Sequence, residues 1–140
     1  MFKKILVPID LEHENAGSRV LPAAKKLAID NGAEVTLIHV MPTIPGFIAK
    51  DIPAGRERRV SEDTKLELKA LAEKFSLPGD VQIHVAQGGV YPQIIKCASE
   101  IDAEAILLSS HRPGLSDYLL GSNAARVVRH SKCSVIVLRD

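Results

Sequence analysis

The sequence predicts an α/β fold in which helices cover both faces of a parallel β-sheet. Five short apolar runs, at residues 5–9, 35–40, 81–86, 105–109 and 134–138, alternate with four helical patterns. This alternation is typical of consecutive βαβ units. Right-handed crossovers that cover both faces require the strand order to reverse at one point. Ligands of such sheets bind at the carboxyl ends of the strands beside that reversal.

The five runs differ in how deeply we expect them to be buried. Residues 5–9, 105–108 and 135–138 are nearly continuous hydrophobe, as strands buried on both faces are. Residues 81–86 alternate between apolar and polar side chains, which predicts an edge strand with one wetter face.

Four helices are predicted between these strands. The first ends at Asn31-Gly32, holds Pro22 near its first turn, and carries a stripe with helical spacing: Val20, Leu21, Ala24, Leu27 and Ala28. The second is predicted to be capped by Ser61 and stopped by residues 77–79, with an apolar face of Leu66, Ala70 and Leu71. The third stripe is Ile94, Ile95, Ala98 and Ile101. The fourth helix spans residues 122–130 and ends with Arg129 and His130, where the helix dipole favours cations.

Composition sets the class of protein. A chain of 140 residues is the length of one domain, here residues 1–140, and its net charge of +1 gives no electrostatic case for nucleic acid or an anionic membrane. The apolar runs are far below the ~18 residues of a membrane span, and the first is too short for a signal peptide. Cys97 and Cys133 make neither a disulfide framework nor a zinc site, so we expect inert thiols and a reduced, cytoplasmic compartment.

One long connection, residues 41–56, interrupts the alternation. It holds three prolines and two glycines and exceeds the usual length of a loop. Phe47 and Ile48 within it would suit a lid or a subunit contact. A plain surface loop is an equally good reading.

Three segments are candidates for a binding site. Asp10 follows the first strand and either accepts hydrogen bonds from a ribose or adenine group or serves as a turn residue. Residues 108–124 run from the fourth strand to the start of a helix, where Gly121, the N-cap candidate Ser122 and free N–H groups could form an anion site or merely a cap. Residues 87–89, Gln-Gly-Gly, are typical of a turn between a strand and a helix, and contact with a ligand is the less favoured alternative.

The sequence lacks the motifs of several enzyme classes. It has no Walker A loop, no G-x-G-x-x-G, no G-x-S-x-G elbow and no Cys/His cluster. His39 and His84 lie within strands, where we expect them packed or hydrogen-bonded, and His13 is expected in an exposed loop. His111 could polarise a phosphate, but no carboxylate is placed to orient it. We therefore expect no efficient enzyme.

The chain resembles the universal stress protein family over residues 3–139. The resemblance is carried by residues 4–10 (Lys-Ile-Leu-Val-Pro-Ile-Asp), 37–40 (Leu-Ile-His-Val), Gly88, Ser110-His111, 119–124 (Leu-Leu-Gly-Ser-Asn-Ala) and 133–137 (Cys-Ser-Val-Ile-Val). Residues 110–113 and 118–125 look most like the enterobacterial F-type subgroup. The resemblance implies a Rossmann-like five-stranded sheet in the order 3-2-1-4-5. It also implies a homodimer through the last strand, which would cover an exposed edge, with a tetramer left open.

The resemblance also implies an adenine-nucleotide site, for ATP or for ADP or AMP, with Mg²⁺ held through the phosphates. The family's ATP-binding branch carries G-x-x-G, nine residues, then G-[ST]. Here Ser109 and Arg112 replace the two leading glycines and the spacer has eight residues, while Gly121-Ser122 is intact. By analogy, adenine and ribose would contact Pro8, Ile9, Asp10 and Val40. The ribose and phosphates would be flanked by Ser109, Ser110 and Arg112, with His111 in the same site. The phosphates would be held by Gly121, Ser122, Asn123 and Ala124.

Three functions follow from these patterns. The leading hypothesis is a non-enzymatic, ATP-binding stress-response protein. The second is an interaction module of the same fold that binds no nucleotide, which the altered glycine motif would favour. The third is a weak nucleotide hydrolase that uses His111 and Arg112.

Overall fold

The computed structural model describes residues 1–13, 15–41, 43, 55–110 and 121–139. Within them strands and helices alternate: β1 (Lys4–Pro8), α1 (Val20–Asn31), β2 (Glu34–Met41), α2 (Arg56–Lys74), β3 (Gln82–Gln87), α3 (Val90–Glu100), β4 (Ala105–Ser110), α4 (Ser122–His130) and β5 (Ser134–Arg139). The predicted α/β class is therefore confirmed. No helix in the described ranges is both long and apolar enough to cross a membrane.

All five strands form one parallel sheet in the order β3-β2-β1-β4-β5, as predicted. Strand β1 is central: Ile5 pairs with Val35 on one side and with Ala105 on the other. The direction of strand succession reverses between β1 and β4, which is where such a sheet opens a crevice at its carboxyl ends. Strands β3 and β5 are the two edges, so the alternation in residues 81–86 correctly predicted an edge strand. The prediction that residues 135–138 are buried on both faces is wrong, because β5 has a neighbouring strand on one side only and these residues are partly exposed.

Each face of the sheet has its own hydrophobic core. Because successive side chains of a strand point to opposite faces, Ile5 and Val7 of β1 enter one core and Leu6 enters the other. Helices α1 and α2 cover the first core, with Leu21 and Leu68 fully buried there. Helices α3 and α4 cover the second. The cover on both faces explains why the central strands read as continuous hydrophobe.

Helix α2 departs from the prediction at its start and in its buried face. It begins at Arg56, so Ser61 lies inside it and caps nothing. Residues 56–60 extend it by about one and a half turns, and four of these five residues are Arg or Glu, whose long unbranched side chains favour helix. Leu66, predicted to face the core, is 64% exposed, whereas Leu68 is 0% exposed.

The buried face of α2 includes the polar residue Thr64, so a search for apolar residues with helical spacing did not identify this face. Thr64 lies one turn before Leu68 and is 8% exposed, and Ala72 lies one turn after it. The Thr64 hydroxyl donates to the Val60 carbonyl over 2.7 Å, so the helix backbone satisfies the buried oxygen. The true stripe therefore runs through positions 64, 68 and 72.

Most of the long connection between β2 and α2, including Phe47 and Ile48, lies outside the described residues. The cysteines are both free thiols, as expected. Burial, helped by the nearby Glu100 carboxylate, raises the pKa of Cys97 from 9.0 to about 11. A thiol with that pKa stays protonated at neutral pH and is unreactive.

Candidate functional site

A cavity of about 800 Å³ opens at the carboxyl ends of the strands, at the reversal between β1 and β4. The carboxyl-terminal residues of β1, β2 and β4 and the segments that follow β1 and β3 line it, together with the first residues of α1, α3 and α4. In a parallel βα unit each helix begins where its strand ends, so three helix N-termini converge on this cavity. Their dipoles make that end of the fold favourable for a negative group.

Every predicted site residue within the described ranges lines this cavity. These residues are Pro8, Ile9, Asp10, Val40, Ser109, Ser110, Gly121, Ser122, Asn123 and Ala124. The structure thus brings together residues that are more than one hundred positions apart in the chain. His111 and Arg112 lie outside the described residues. The contacts assigned to these residues with a nucleotide stay predictions.

Asp10 sits in a tight turn at the exit of β1. The N–H of Glu12 donates to its Oδ1 over 3.1 Å, and the N–H of His13 donates to its carbonyl over 3.2 Å. His13 Nε2 lies 3.5 Å from Asp10 Oδ2. The turn alternative for Asp10 is therefore realised. A carboxylate has about four acceptor sites, however, and this side chain is 59% exposed, so it can still accept hydrogen bonds from a ligand.

His39 is buried on β2 beside this turn, as its position within a strand predicted. It is 8% exposed and lines the cavity. Its Nδ1 lies 2.9 Å from the carbonyl oxygen of Ile9 and 3.5 Å from the Leu11 nitrogen. A carbonyl oxygen can only accept a hydrogen bond, so the 2.9 Å contact assigns the proton to Nδ1, which donates to Ile9.

The N-terminus of α4 forms the opposite wall. Gly121 occupies the N-cap position in an extended conformation, with φ −58° and ψ 149°. Ser122 is therefore the first helical residue, and the prediction that it caps the helix is wrong by one position. The Gly121 N–H donates to Ser110 Oγ over 3.3 Å, which ties the end of β4 to the start of α4.

Two further segments line the cavity. The first includes Gly88 and Gly89 of the third candidate segment, which was interpreted mainly as a turn, and the second was not predicted. Gly88, Gly89 and Val90 connect β3 to α3, and the Gly88 N–H donates to the Met41 carbonyl over 2.9 Å. Gly88 has φ +133°, which side chains rarely allow. Its presence before a helix was visible in the sequence, but turn chemistry was sufficient to explain it.

The second segment is the loop before α1, residues 15–19, and it was not predicted as part of a site. Gly17 has φ +80°, and a Cβ there would lie 2.6 Å from Leu21 Cδ1. Arg19 lines the cavity and donates from Nη1 to the Arg139 carbonyl over 3.0 Å. This loop carries no motif and owes its place to the position of α1, so no local signal could have identified it.

The cavity combines an apolar wall with a polar end. Ile38, Val40, Ile94 and Leu108 supply apolar surface, and the serine hydroxyls and helix N-termini supply donors. Such a set can hold a flat apolar ring and an anionic group together. Among the residues that the structure describes, no cluster of His, Cys, Asp or Glu could hold a metal ion.

The fold and the cavity define a doubly wound α/β protein with a cavity at its switch point. The family model described as universal stress protein family matches residues 1–139, so the chain belongs to that family. Universal stress protein G of Shigella flexneri is 30% identical over 146 residues, covering 99% of this chain and all of that protein. That relative carries the G designation, and the likeness to the F-type subgroup stays a prediction.

Two solved structures contain adenine nucleotides. A universal stress protein in complex with cAMP has a TM-score of 0.68 and 19% identity, covering 99% of this chain and 97% of that one. The universal stress protein of Archaeoglobus fulgidus in complex with dAMP has a TM-score of 0.65 and 21% identity, covering 97% of each chain. At these identities the likeness establishes the shared fold.

Proposed function

We propose that this chain binds an adenine nucleotide, ATP foremost, in the cavity at the switch point and acts as a non-enzymatic stress-response regulator. The observation that carries the proposal is the convergence on one cavity of an apolar wall, the Asp10 carboxylate and the α4 N-terminus. These three elements match the base, the ribose and the phosphates of a nucleotide. The complexes of related folds with cAMP and dAMP support the same ligand class.

Each part of the nucleotide has a proposed partner. The base lies against Val40 and Ile9, and the ribose hydroxyls donate to Asp10. The phosphates lie at the first turn of α4, with Ser109 and Ser110 beside them. Mg²⁺ accompanies the phosphates and is held through them and through water, since it retains several waters when it binds.

Calorimetric titration of ATP into nucleotide-stripped protein, with and without Mg²⁺, tests the proposal. We expect a Kd at or below about 100 μM, near −5.5 kcal/mol. Asp10→Ala and Gly121→Leu should each weaken binding at least tenfold, about 1.4 kcal/mol. Asp30→Ala removes an exposed carboxylate from α1, and Ala125→Leu adds bulk one turn beyond Gly121. Neither position lines the cavity, so both controls should bind like the parent chain.

The outcomes separate the three functions. Binding that is equal in the Asp10 and Gly121 variants would reject the site. An absence of heat and of thermal stabilisation at millimolar ATP would favour the interaction module instead. Turnover of bound ATP that falls when His111 and Arg112 are both replaced by alanine would favour the hydrolase.

We also propose that the protein works as a homodimer through β5, in the cytoplasm. Strand β5 is an edge strand, and its residues 135–138 remain partly exposed on both faces. Pairing with a second copy would cover this edge. Sedimentation equilibrium should give a dimer mass, or a tetramer mass if dimers associate, and a monomer at micromolar concentration would contradict this assembly. Cell fractionation tests the compartment, which the two free thiols support.

A further inference from the structure

His39 makes a buried contact that neither the sheet nor the proposed nucleotide contacts require. The last ladder bond of β1 runs from the Ile9 N–H to the Ile38 carbonyl over 2.8 Å. The Ile9 carbonyl lies beyond it, in a residue that is only 3% exposed. A buried carbonyl without a donor is costly. The His39 Nδ1–H supplies that donor over 2.9 Å, from a side chain on the neighbouring strand.

This hydrogen bond controls the direction in which the chain leaves the sheet. The Ile9 carbonyl and the Asp10 nitrogen belong to one planar peptide unit. Fixing the carbonyl oxygen therefore fixes the plane that carries the Asp10 Cα. The turn that follows is closed by bonds to Asp10 itself, from the N–H groups of Glu12 and His13. The aim of the Asp10 carboxylate thus depends on one imidazole in the next strand.

We propose that His39 is a positioning residue of the nucleotide site: through the Ile9 carbonyl it holds Asp10 in the orientation that receives the ribose hydroxyls. This inference rests on the proposed adenine-nucleotide function and adds a specificity element to it. His39 selects for ligands that carry a ribose diol, although its bonded nitrogen contacts no part of the sugar.

Two substitutions separate the donor from the bulk of the imidazole. His39→Asn places an amide N–H close to the position of Nδ1, whereas His39→Leu keeps apolar volume and has no donor. We expect His39→Leu to weaken ATP binding about tenfold and His39→Asn to stay within about threefold of the parent chain. His84→Leu changes the histidine of edge strand β3, which does not line the cavity, and should leave affinity unchanged.

A nucleotide without the ribose hydroxyls tests whether His39 affects binding through Asp10. If His39 acts through Asp10, its replacement costs nothing when Asp10 has no hydroxyl to bind. The parent chain and His39→Leu should therefore bind 2′,3′-dideoxy-ATP equally. The double variant His39→Leu/Asp10→Ala should bind ATP no more than about twofold more weakly than Asp10→Ala alone. Equal penalties for both nucleotides, or fully additive losses, would overturn the role of His39 and leave the nucleotide function intact.

The ligand-free protein provides a readout that does not depend on nucleotide binding. Amide resonances of residues 10–13 should shift in His39→Leu and stay near their parent positions in His39→Asn, while those of α3 remain unchanged. Identical spectra of residues 10–13 in all three proteins would overturn the positioning role. If the parent chain gives the spectrum of a folded protein but binds no adenine nucleotide, the proposed function is rejected, and the selection for ribose is rejected with it.

Discussion

Replacing Gly17 with alanine measures how tightly the loop before α1 is packed against the sheet. Gly17 has φ +80°, and a Cβ on it would lie 2.6 Å from Cδ1 and 3.1 Å from Cγ of Leu21. Leu21 is 0% exposed, so its side chain has little room to move. Two separate costs should therefore add: the left-handed backbone and the overpacking of the core.

Gly79→Ala is the matched control because it isolates the first cost. Gly79 has φ +75°, and a Cβ there would meet nothing within 4 Å. A side chain in the left-handed region costs about 1–2 kcal/mol. Overpacking a buried site costs a further ~1–3 kcal/mol. We expect a loss of about 1–2 kcal/mol in Gly79→Ala and about 2–5 kcal/mol in Gly17→Ala.

Urea denaturation followed by circular dichroism gives both free energies of unfolding, with thermal melts as a second measure. At about 4 °C per kcal/mol for a chain of this size, Gly17→Ala should melt roughly 4–12 °C below Gly79→Ala. Parallel losses in the two variants would refute the reasoning, since they would leave only the backbone cost and no contact with Leu21.

Two further predictions concern the core. Leu68→Ala should lower the free energy of unfolding by about 2–5 kcal/mol, because Leu68 is 0% exposed, whereas Leu66→Ala two residues away should change it by less than about 0.5 kcal/mol. The reverse ranking, measured by urea denaturation, would restore the sequence-based assignment of the α2 face. Because the pKa of Cys97 is raised to about 11, the folded protein keeps a proton that the unfolded chain releases near pH 9.0. That contribution to stability is fully present below pH 9.0 and should be lost as the pH rises towards 11, and a Cys97→Ala variant with the same alkaline slope would contradict this.

The parts of the fold that were predictable are those in which a local pattern has one physical cause. Continuous apolar sequence in residues 5–9 and 105–108 correctly indicated central strands with both faces covered, whereas the same pattern in residues 135–138 belongs to the edge strand β5. Helix α1 ends at Asn31, as predicted, because Gly32 takes a left-handed conformation with φ +63°. The strand order itself required the family resemblance, since periodicity does not encode which strands are neighbours.

Helix α2 was mispredicted because two stripes with helical spacing compete in its sequence. One runs through Leu66 and Ala70 and is purely apolar. The other includes Thr64, whose burial depends on a hydrogen bond to its own helix. Only contact with the sheet decides between them. The start of the helix was mispredicted for a similar reason. A serine can cap a helix that begins after it, but it can also lie inside a helix that began earlier, and Ser61 does the latter.

Some residues of the candidate site were likewise predictable from local sequence, and others were not. Asp10, Ser110 and Gly121 were predictable because each follows a strand or precedes a helix and carries distinctive chemistry. Residues 87–89 were a weaker candidate because turn chemistry alone explains them, and the loop at residues 15–19 was not predicted. Their place in the cavity comes from helices α3 and α1 being delivered to the same end of the sheet, which is a property of the three-dimensional arrangement.

The central position of β1 has a consequence for how the chain is made. Strand β1 precedes the other strands in the chain, so the three-stranded part of the sheet, β3-β2-β1, can form once residue 87 has emerged from the ribosome. The other edge of β1 stays unpaired until β4, which starts at Ala105, has been synthesised. During that interval β1 presents an unpaired backbone edge, and its Leu6 face lacks α4. A nascent chain in that interval therefore exposes a strand edge with which another chain can pair, which is a route to aggregation.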